Sequence, residues 1–164
     1  MERVPKLLAV IDYQNDFVTG SLGFEGAAAI DDGIARLAQT YLAQGDHVLF
    51  TYDTQTGWRL YGKTQELCCE TCANHQIHTV CKHALGMPPA ELIKLGQELP
   101  GLREIMVVGV VTNMCVLSNA VLMQAQWPEA QITVDAALCR SFDPVLHEKA
   151  LDVMQGLQMT VINR

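Results

Sequence analysis

Short apolar runs rich in β-branched residues alternate along the chain with longer segments whose apolar residues recur at helical spacing. This alternation is typical of βαβ units built around a parallel sheet. We predict strands at Leu7–Asp12, His47–Asp53, His78–Lys82, Ile105–Val111, Ile132–Ala136 and Met159–Asn163. We predict helices at Ala29–Gln44, Pro89–Leu99, Asn113–Gln126 and Pro144–Leu157, with both prolines in first turns. The fold class expected is α/β: a three-layer α/β/α Rossmann-like domain with a six-stranded, mainly parallel sheet.

Composition narrows the function without identifying it. The 164 residues, 49% of them hydrophobic and 18% charged, fit a single domain over residues 1–164 with a full core. A net charge of −7 disfavours nucleic acid and anionic membrane surfaces as partners. The apolar run Leu7–Ile11 is too short for a signal peptide or a membrane span, so we expect a cytoplasmic protein.

The stretch Ile105–Val116 carries the clearest chemical signal. A buried strand breaks at Thr112-Asn113 and places Cys115 in the first turn of the next helix. We expect Thr112 or Asn113 to cap that helix. The helix dipole would then lower the pKa of the thiol and favour the nucleophilic thiolate.

Two more polar residues stand at the ends of predicted strands. Asp12 ends the first strand and Lys82 ends the third, while Cys115 follows the fourth. Ligands of open parallel sheets bind outside the carboxyl ends of the strands, so the three side chains could share one cleft. A carboxylate able to move protons, an ammonium and a thiol together suit acyl transfer.

At these residues the chain resembles the isochorismatase-like cysteine hydrolases, which include nicotinamidases, N-carbamoylsarcosine amidases and isochorismatases. The resemblance covers nearly the whole chain. The motifs that carry it are AVIDYQNDF at 9–17, GSLG at 20–23, VVGVVTNMCVLSNA at 107–120, ITVDAALC and HEKALDVM.

The resemblance implies a catalytic triad of Asp12, Lys82 and Cys115. It also implies a cis peptide between Val110 and Val111, which would aim the N–H groups of Val111 and Cys115 at an oxyanion. The reaction expected is cleavage of an amide-like C–N bond in a small molecule through a thioester on Cys115, without a cofactor. A homo-oligomer is expected as well.

One departure from nicotinamidases bears on the substrate. Those enzymes carry an Asp and two His that bind a divalent metal, whereas this chain has Asp53 followed by Gln55 at the expected His position. We therefore expect no nicotinamidase metal site, since a carboxylate and an amide suit zinc poorly. Phe17, Asp53 and Gln55 are the expected substrate-pocket residues, and the loop before Lys82 looks shorter than in relatives.

The segment Cys68–His83 is rich in cysteine and histidine. Zinc candidates recur in it at every third position: Cys69, Cys72, His75, His78 and Cys81. Buried thiols and surface imidazoles are the favoured interpretation, because structural zinc usually joins two separated ligand pairs. We expect Cys68 and Cys139 to be packing residues. The alternative function is a non-catalytic, redox or zinc-binding protein that uses residues 68–83.

Overall fold

The fold is an α/β structure around one parallel sheet, as the sequence pattern predicts. The computed structural model describes residues 3–55, 57, 59–70 and 74–164, except the side chains of residues 69 and 70. Its six-stranded sheet has the order β3-β2-β1-β4-β5-β6, with every pair of neighbours parallel. In this order the chain direction across the sheet reverses between β1 and β4, which is where ligands of such folds bind.

The strand predictions agree with the structure to within one residue at most ends. The observed strands are β1 Leu7–Ile11, β2 His47–Asp53, β3 Ile77–Lys82, β4 Glu104–Val110, β5 Gln131–Arg140 and β6 Thr160–Ile162. The exception is β5, which runs four residues past the predicted end at Ala136. Cys139 and Arg140 still pair with Gly109 and Val110 of β4 across a register shift, which local sequence does not indicate.

The helices flank the sheet on both faces. They are α1 Asn15–Val18, α2 Asp31–Ala43, α3 Gly62–Glu70, α4 Pro89–Glu98, α5 Leu117–Gln126 and α6 Pro144–Gly156. Pro89 and Pro144 occupy first-turn positions as predicted, and Asp143 caps α6 by accepting from the N–H groups of Val145 and Leu146. Sequence reasoning missed α1 and α3. No helix in the described part of the chain is long and apolar enough to cross a membrane.

Alternation along the buried strands divides the core into two layers. Leu7, Ala9 and Ile11 of β1 face one apolar cluster, which includes residues of α4, α5 and α6. Leu8 and Val10 face the other, which includes residues of α1, α2 and α3. A central parallel strand is covered on both sides, so its whole sequence is apolar and its ends are set by polar residues.

Gly109 allows β4 to approach the end of β1. Its φ is +118°, and a Cβ at this position would lie 2.2 Å from the carbonyl oxygen of Ile11. The residue also lies at the register shift between β4 and β5. Glycine is therefore required by both the backbone angle and the space.

We predict that Gly109→Ala lowers the free energy of unfolding by about 2 to 5 kcal/mol, since the positive φ and the backbone clash both oppose a side chain. Gly101→Ala is the matched control, because Gly101 has a φ of +71° but nothing within 4 Å of the added Cβ. Urea denaturation of the two variants measures the difference. Equal losses would contradict the close approach.

Candidate functional site

Asp12 lies directly after β1 and is fully buried. Its φ of +46° is a conformation that side-chain-bearing residues seldom adopt, and such residues cluster at functional sites. Thr51 of β2 binds both the backbone and the side chain of Asp12. The Asp12 N–H donates to Thr51 Oγ1 at 3.1 Å, and Thr51 Oγ1 donates to Asp12 Oδ1 at 2.6 Å. Oδ2 is left facing the rest of the site.

Lys82 ends β3, and its side chain has no exposed surface. Its ammonium lies 2.6 Å from Asp12 Oδ2 and donates to the carbonyl of Ala84 at 2.9 Å and to Cys115 Sγ at 3.6 Å. Asp53 Oδ2, at the end of β2, is 4.0 Å from the same nitrogen. The buried charge is thus surrounded by acceptors, as a buried ammonium requires.

Cys115 lies in a π-helical turn, Thr112–Val116, between β4 and α5. Such turns are rare in proteins, and those that do occur are often found at functional sites. The predicted helix cap is wrong, because neither Thr112 nor Asn113 accepts from the turn. Thr112 Oγ1 instead lies 2.8 Å from His147 Nδ1, and Asn113 Oδ1 accepts from Ser141 Oγ at 2.5 Å.

The predicted low thiol pKa is also wrong in direction. Burial raises the pKa of Cys115 to about 12, the charge of Asp12 adds to the rise, and Lys82 opposes it. Burial likewise raises the pKa of the Asp12 carboxyl, against the opposing charge and hydrogen bond of Lys82. The thiol is therefore neutral at physiological pH and stands beside a carboxylate of increased basicity.

Two buried amides hold the site together, and sequence reasoning gave neither this role. Gln14 accepts from the N–H of Asp53 at 2.8 Å, and its Nε2 donates to the carbonyls of Asp53 and Gly57. Asn119 donates to the carbonyls of Leu85 and Cys115 and accepts from the N–H of Met87.

Helical spacing gave one usable signal for these amides. Asn119 follows Cys115 by four residues, so the two share a helix face. The buried positions of Gln14 and Thr51 depend on strand pairing and carry no comparable local signal.

The peptide between Val110 and Val111 is cis, as the resemblance implied. Val110 is fully buried, whereas Val111 is 2% exposed and lines the cavity beside Cys115. The Val111 carbonyl accepts from the N–H groups of Met114 and Val116. The cis bond therefore lies immediately before the turn that carries the thiol.

A cavity of about 330 Å³ opens onto Cys115, hereafter the Cys115 cavity. The three predicted pocket residues, Phe17, Asp53 and Gln55, all line it. The other lining residues are mostly apolar: Leu22, Leu85, Val111, Met114 and Phe142. Their size and chemistry suit a small, largely apolar molecule.

The residues at the position of the nicotinamidase metal site do not fit a divalent metal. Asp53 Oδ1 accepts from the N–H of Gln55 at 2.9 Å, while Gln55 Nε2 donates to the carbonyl of His83 at 3.0 Å. Asp53 Oδ2 lies 4.0 Å from the Lys82 ammonium and so already interacts with that group. One carboxylate and one amide fall short of a zinc ligand set.

The Cys/His segment does not form one face. His78 and Cys81 lie three residues apart on β3, so their side chains point to opposite sides of the sheet. His78 contacts His47 and Glu98, Cys81 is exposed, and Cys72 lies outside the described residues, as does the side chain of Cys69. His75, Cys81 and the other described residues include no group of three His, Cys, Asp or Glu side chains placed to hold a metal. Cys68 and Cys139 are buried, as expected.

The structure thus brings together the three polar residues that the sequence placed at strand ends. A neutral thiol lies at the wall of an apolar cavity, with a buried carboxylate and an ammonium behind it. This arrangement can deliver a nucleophile to a carbonyl carbon while a neighbouring base accepts the thiol proton.

Comparisons with known proteins agree on one family. The isochorismatase domain model matches residues 6–164. The nicotinamidase from Staphylococcus aureus is 26% identical with a TM-score of 0.86, covering 99% of each chain. The nicotinamidase from Bacillus subtilis is 27% identical with a TM-score of 0.86, covering 95% of this chain and 98% of that one. No curated protein matches.

A more distant structure shares the fold. The pyrazinamidase of Pyrococcus horikoshii, solved in complex with zinc, is 16% identical with a TM-score of 0.77, covering 98% of this chain and 99% of that one. Since the domain model spans nearly the whole sequence, the chain belongs to the isochorismatase-like cysteine hydrolase superfamily.

Proposed function

We propose that this protein is an amidase that cleaves a C–N bond of a small molecule, with Cys115 as nucleophile, Asp12 as proton acceptor and donor, and Lys82 as the electrostatic partner of both. One observation carries the proposal: the Lys82 ammonium bridges Asp12 Oδ2 and Cys115 Sγ at the wall of an apolar cavity. The nicotinamidase relatives supply the reaction class.

The first half of the cycle forms a thioester. As Sγ attacks the amide carbon, the thiol proton passes to Asp12, so no free thiolate needs to exist beforehand. The raised pKa of Asp12 suits this transfer, because a more basic carboxylate takes the proton more readily. The tetrahedral intermediate then expels ammonia or an amine, which takes the proton back from Asp12.

The second half restores the enzyme. Water attacks the thioester carbon and gives one proton to Asp12, the C–S bond breaks, and the sulfur recovers that proton. The net reaction is amide plus water to carboxylic acid plus amine. In both halves the N–H groups of Val111 and Cys115 are proposed to stabilise the carbonyl oxygen as it gains charge.

Lys82 is proposed to act electrostatically and not as an acid. Its charge favours the ionised forms of both Asp12 and Cys115, and so stabilises whichever of them holds the negative charge. No step requires a metal, and the donor set at Asp53 and Gln55 argues against a metal-assisted nicotinamidase.

We also propose a single-domain organisation, a homo-oligomeric state and a cytoplasmic location. A single domain over residues 1–164 is tested by one cooperative unfolding transition. A homo-oligomer is tested by sedimentation, and a cytoplasmic location by cell fractionation.

We predict that the protein releases ammonia from small aromatic carboxamides such as benzamide, and that Cys115→Ala has no activity. Asp12→Asn should lower kcat/KM by about 10²- to 10⁴-fold, because an amide cannot accept the proton. Acid-quenched reactions of the unmodified protein should carry the acyl group on Cys115, located by peptide mass spectrometry.

The matched control for Asp12→Asn is Asp32→Asn, the same chemical change at an exposed residue of α2 that pairs with Lys63. Its kcat/KM should stay within about twofold of the unmodified protein. Full activity of Cys115→Ala, or an acyl group on another residue, would disprove the nucleophile.

We further predict that alkylation of Cys115 by iodoacetamide is slow near neutral pH and rises only in the alkaline range, since burial and Asp12 raise the pKa of the thiol to about 12. Asp12→Asn removes a negative charge, so the pKa falls and the profile moves to lower pH. This variant should therefore lose hydrolysis while its thiol becomes more reactive.

Cys81 is the internal control for reagent quality, because it is an exposed free thiol of the same chain. Peptide mass spectrometry separates the two sites. A profile of the unmodified protein with its midpoint below 9.0, the ordinary value for a thiol pKa, would contradict the arrangement described for Asp12 and Cys115.

A further inference from the structure

Polar and apolar residues are unevenly distributed in the lining of the Cys115 cavity. Most of its lining is apolar, formed by Phe17, Leu22, Leu85, Val111, Met114 and Phe142. Apart from Cys115, the polar side chains among the described lining residues are Asp53 and Gln55, which are close in sequence. A ligand in this space can therefore be recognised through polar contacts mainly at one wall, and the character of Asp53 and Gln55 decides which groups fit.

Hydrogen bonds fix the polar character of that wall. Gln55 Nε2 donates to the carbonyl of His83, which can only accept, so the amide orientation is set. The remaining polar atom of the side chain, Oε1, is an acceptor. Asp53 is a carboxylate whose Oδ1 accepts from the N–H of Gln55. The polar side chains of this wall therefore offer acceptors to a ligand.

The charges around the Cys115 cavity also disfavour an anionic ligand. Asp12 and Lys82 form an ion pair with both side chains fully buried, and the Cys115 thiol is neutral at physiological pH. Asp53, whose side chain is 14% exposed, lies 4.0 Å from the same Lys82 ammonium, so among the described residues two carboxylates share one cation beside the cavity. None of the described lining residues is Lys or Arg. An anionic ligand would meet a second carboxylate in a site whose described cation, Lys82, is already shared by Asp12 and Asp53.

We propose that the substrates of this site are small, flat amides whose apolar body carries a hydrogen-bond donor, neutral or cationic, and that anionic amides are excluded. This inference rests on the proposed function and deepens it by naming the substrate class. Ring nitrogens that only accept hydrogen bonds find no partner in Asp53 or in Gln55 Oε1. Donor groups such as amines find two acceptors there.

Binding tests the inference without requiring turnover. The Cys115→Ala protein is titrated calorimetrically with four amides of similar shape: benzamide, nicotinamide, 3-(aminomethyl)benzamide and 3-carbamoylbenzoate. We expect the aminomethyl compound to bind at least about tenfold more tightly than benzamide and the carboxylate at least about tenfold more weakly. Nicotinamide should gain nothing over benzamide.

Variants test whether Asp53 causes the preference for cationic over anionic amides. In the Cys115→Ala background, Asp53→Asn should reduce the ratio of the Kd values of the anion and the cation at least about tenfold, because the charge that discriminates is gone. Asp32→Asn is the matched control and should leave the ratio unchanged. Raising the salt concentration with the Cys115→Ala protein should also shrink the ratio, which keeps the test valid if Asp53→Asn fails to fold.

The outcomes separate the two proposals. Equal Kd values, tighter binding of the carboxylate, or no binding of any of the four compounds would overturn this inference, whatever the unmodified protein hydrolyses. Selective binding without ammonia release by the unmodified protein would support the inference and overturn the proposed amidase.

Discussion

The fully buried ammonium of Lys82 is the constraint on which the rest of the site depends. Removing an ammonium from water costs several kcal/mol unless acceptors surround it. The chain supplies them from different elements: the Asp12 carboxylate after β1, the Ala84 carbonyl after β3, the Cys115 sulfur in the π-helical turn, and Asp53 at the end of β2. The ion pair therefore ties together the carboxyl ends of neighbouring strands and sets where the thiol lies.

Protonation at this site follows from burial more than from backbone dipoles. A helix N-terminus would favour a thiolate, but here burial and the adjacent carboxylate both favour the neutral thiol. Lys82 favours the ionised forms of both Asp12 and Cys115, so its charge does not decide which of the two holds the proton. In the proposed reaction the proton passes from the thiol to Asp12 as the carbonyl carbon accepts the sulfur lone pair, and the negative charge moves to the carbonyl oxygen.

Sequence predicted most of the fold because buried parallel strands are continuous apolar runs with polar residues at their ends. The same logic placed Asp12, Lys82 and Cys115 at one edge of the sheet. It could not find the extension of β5, since Cys139 and Arg140 pair with Gly109 and Val110 only after a register shift between the two strands. It missed the short helix α1 and the helix α3, whose last residues belong to the Cys/His segment.

Predictions that needed packing information also failed. The π-helical turn and the raised thiol pKa depend on what surrounds Cys115, and no local pattern encodes this. The roles of Gln14 and Asn119 likewise emerge only when distant loops are brought within hydrogen-bond distance.

Asn119 has a consequence for how this scaffold can vary. One side-chain amide binds the carbonyls of Leu85 and Cys115 and the N–H of Met87, so the wall of the cavity after β3 and the turn that carries the sulfur are linked as one rigid piece. Residues inserted between Lys82 and Pro88 would displace the sulfur from its partners.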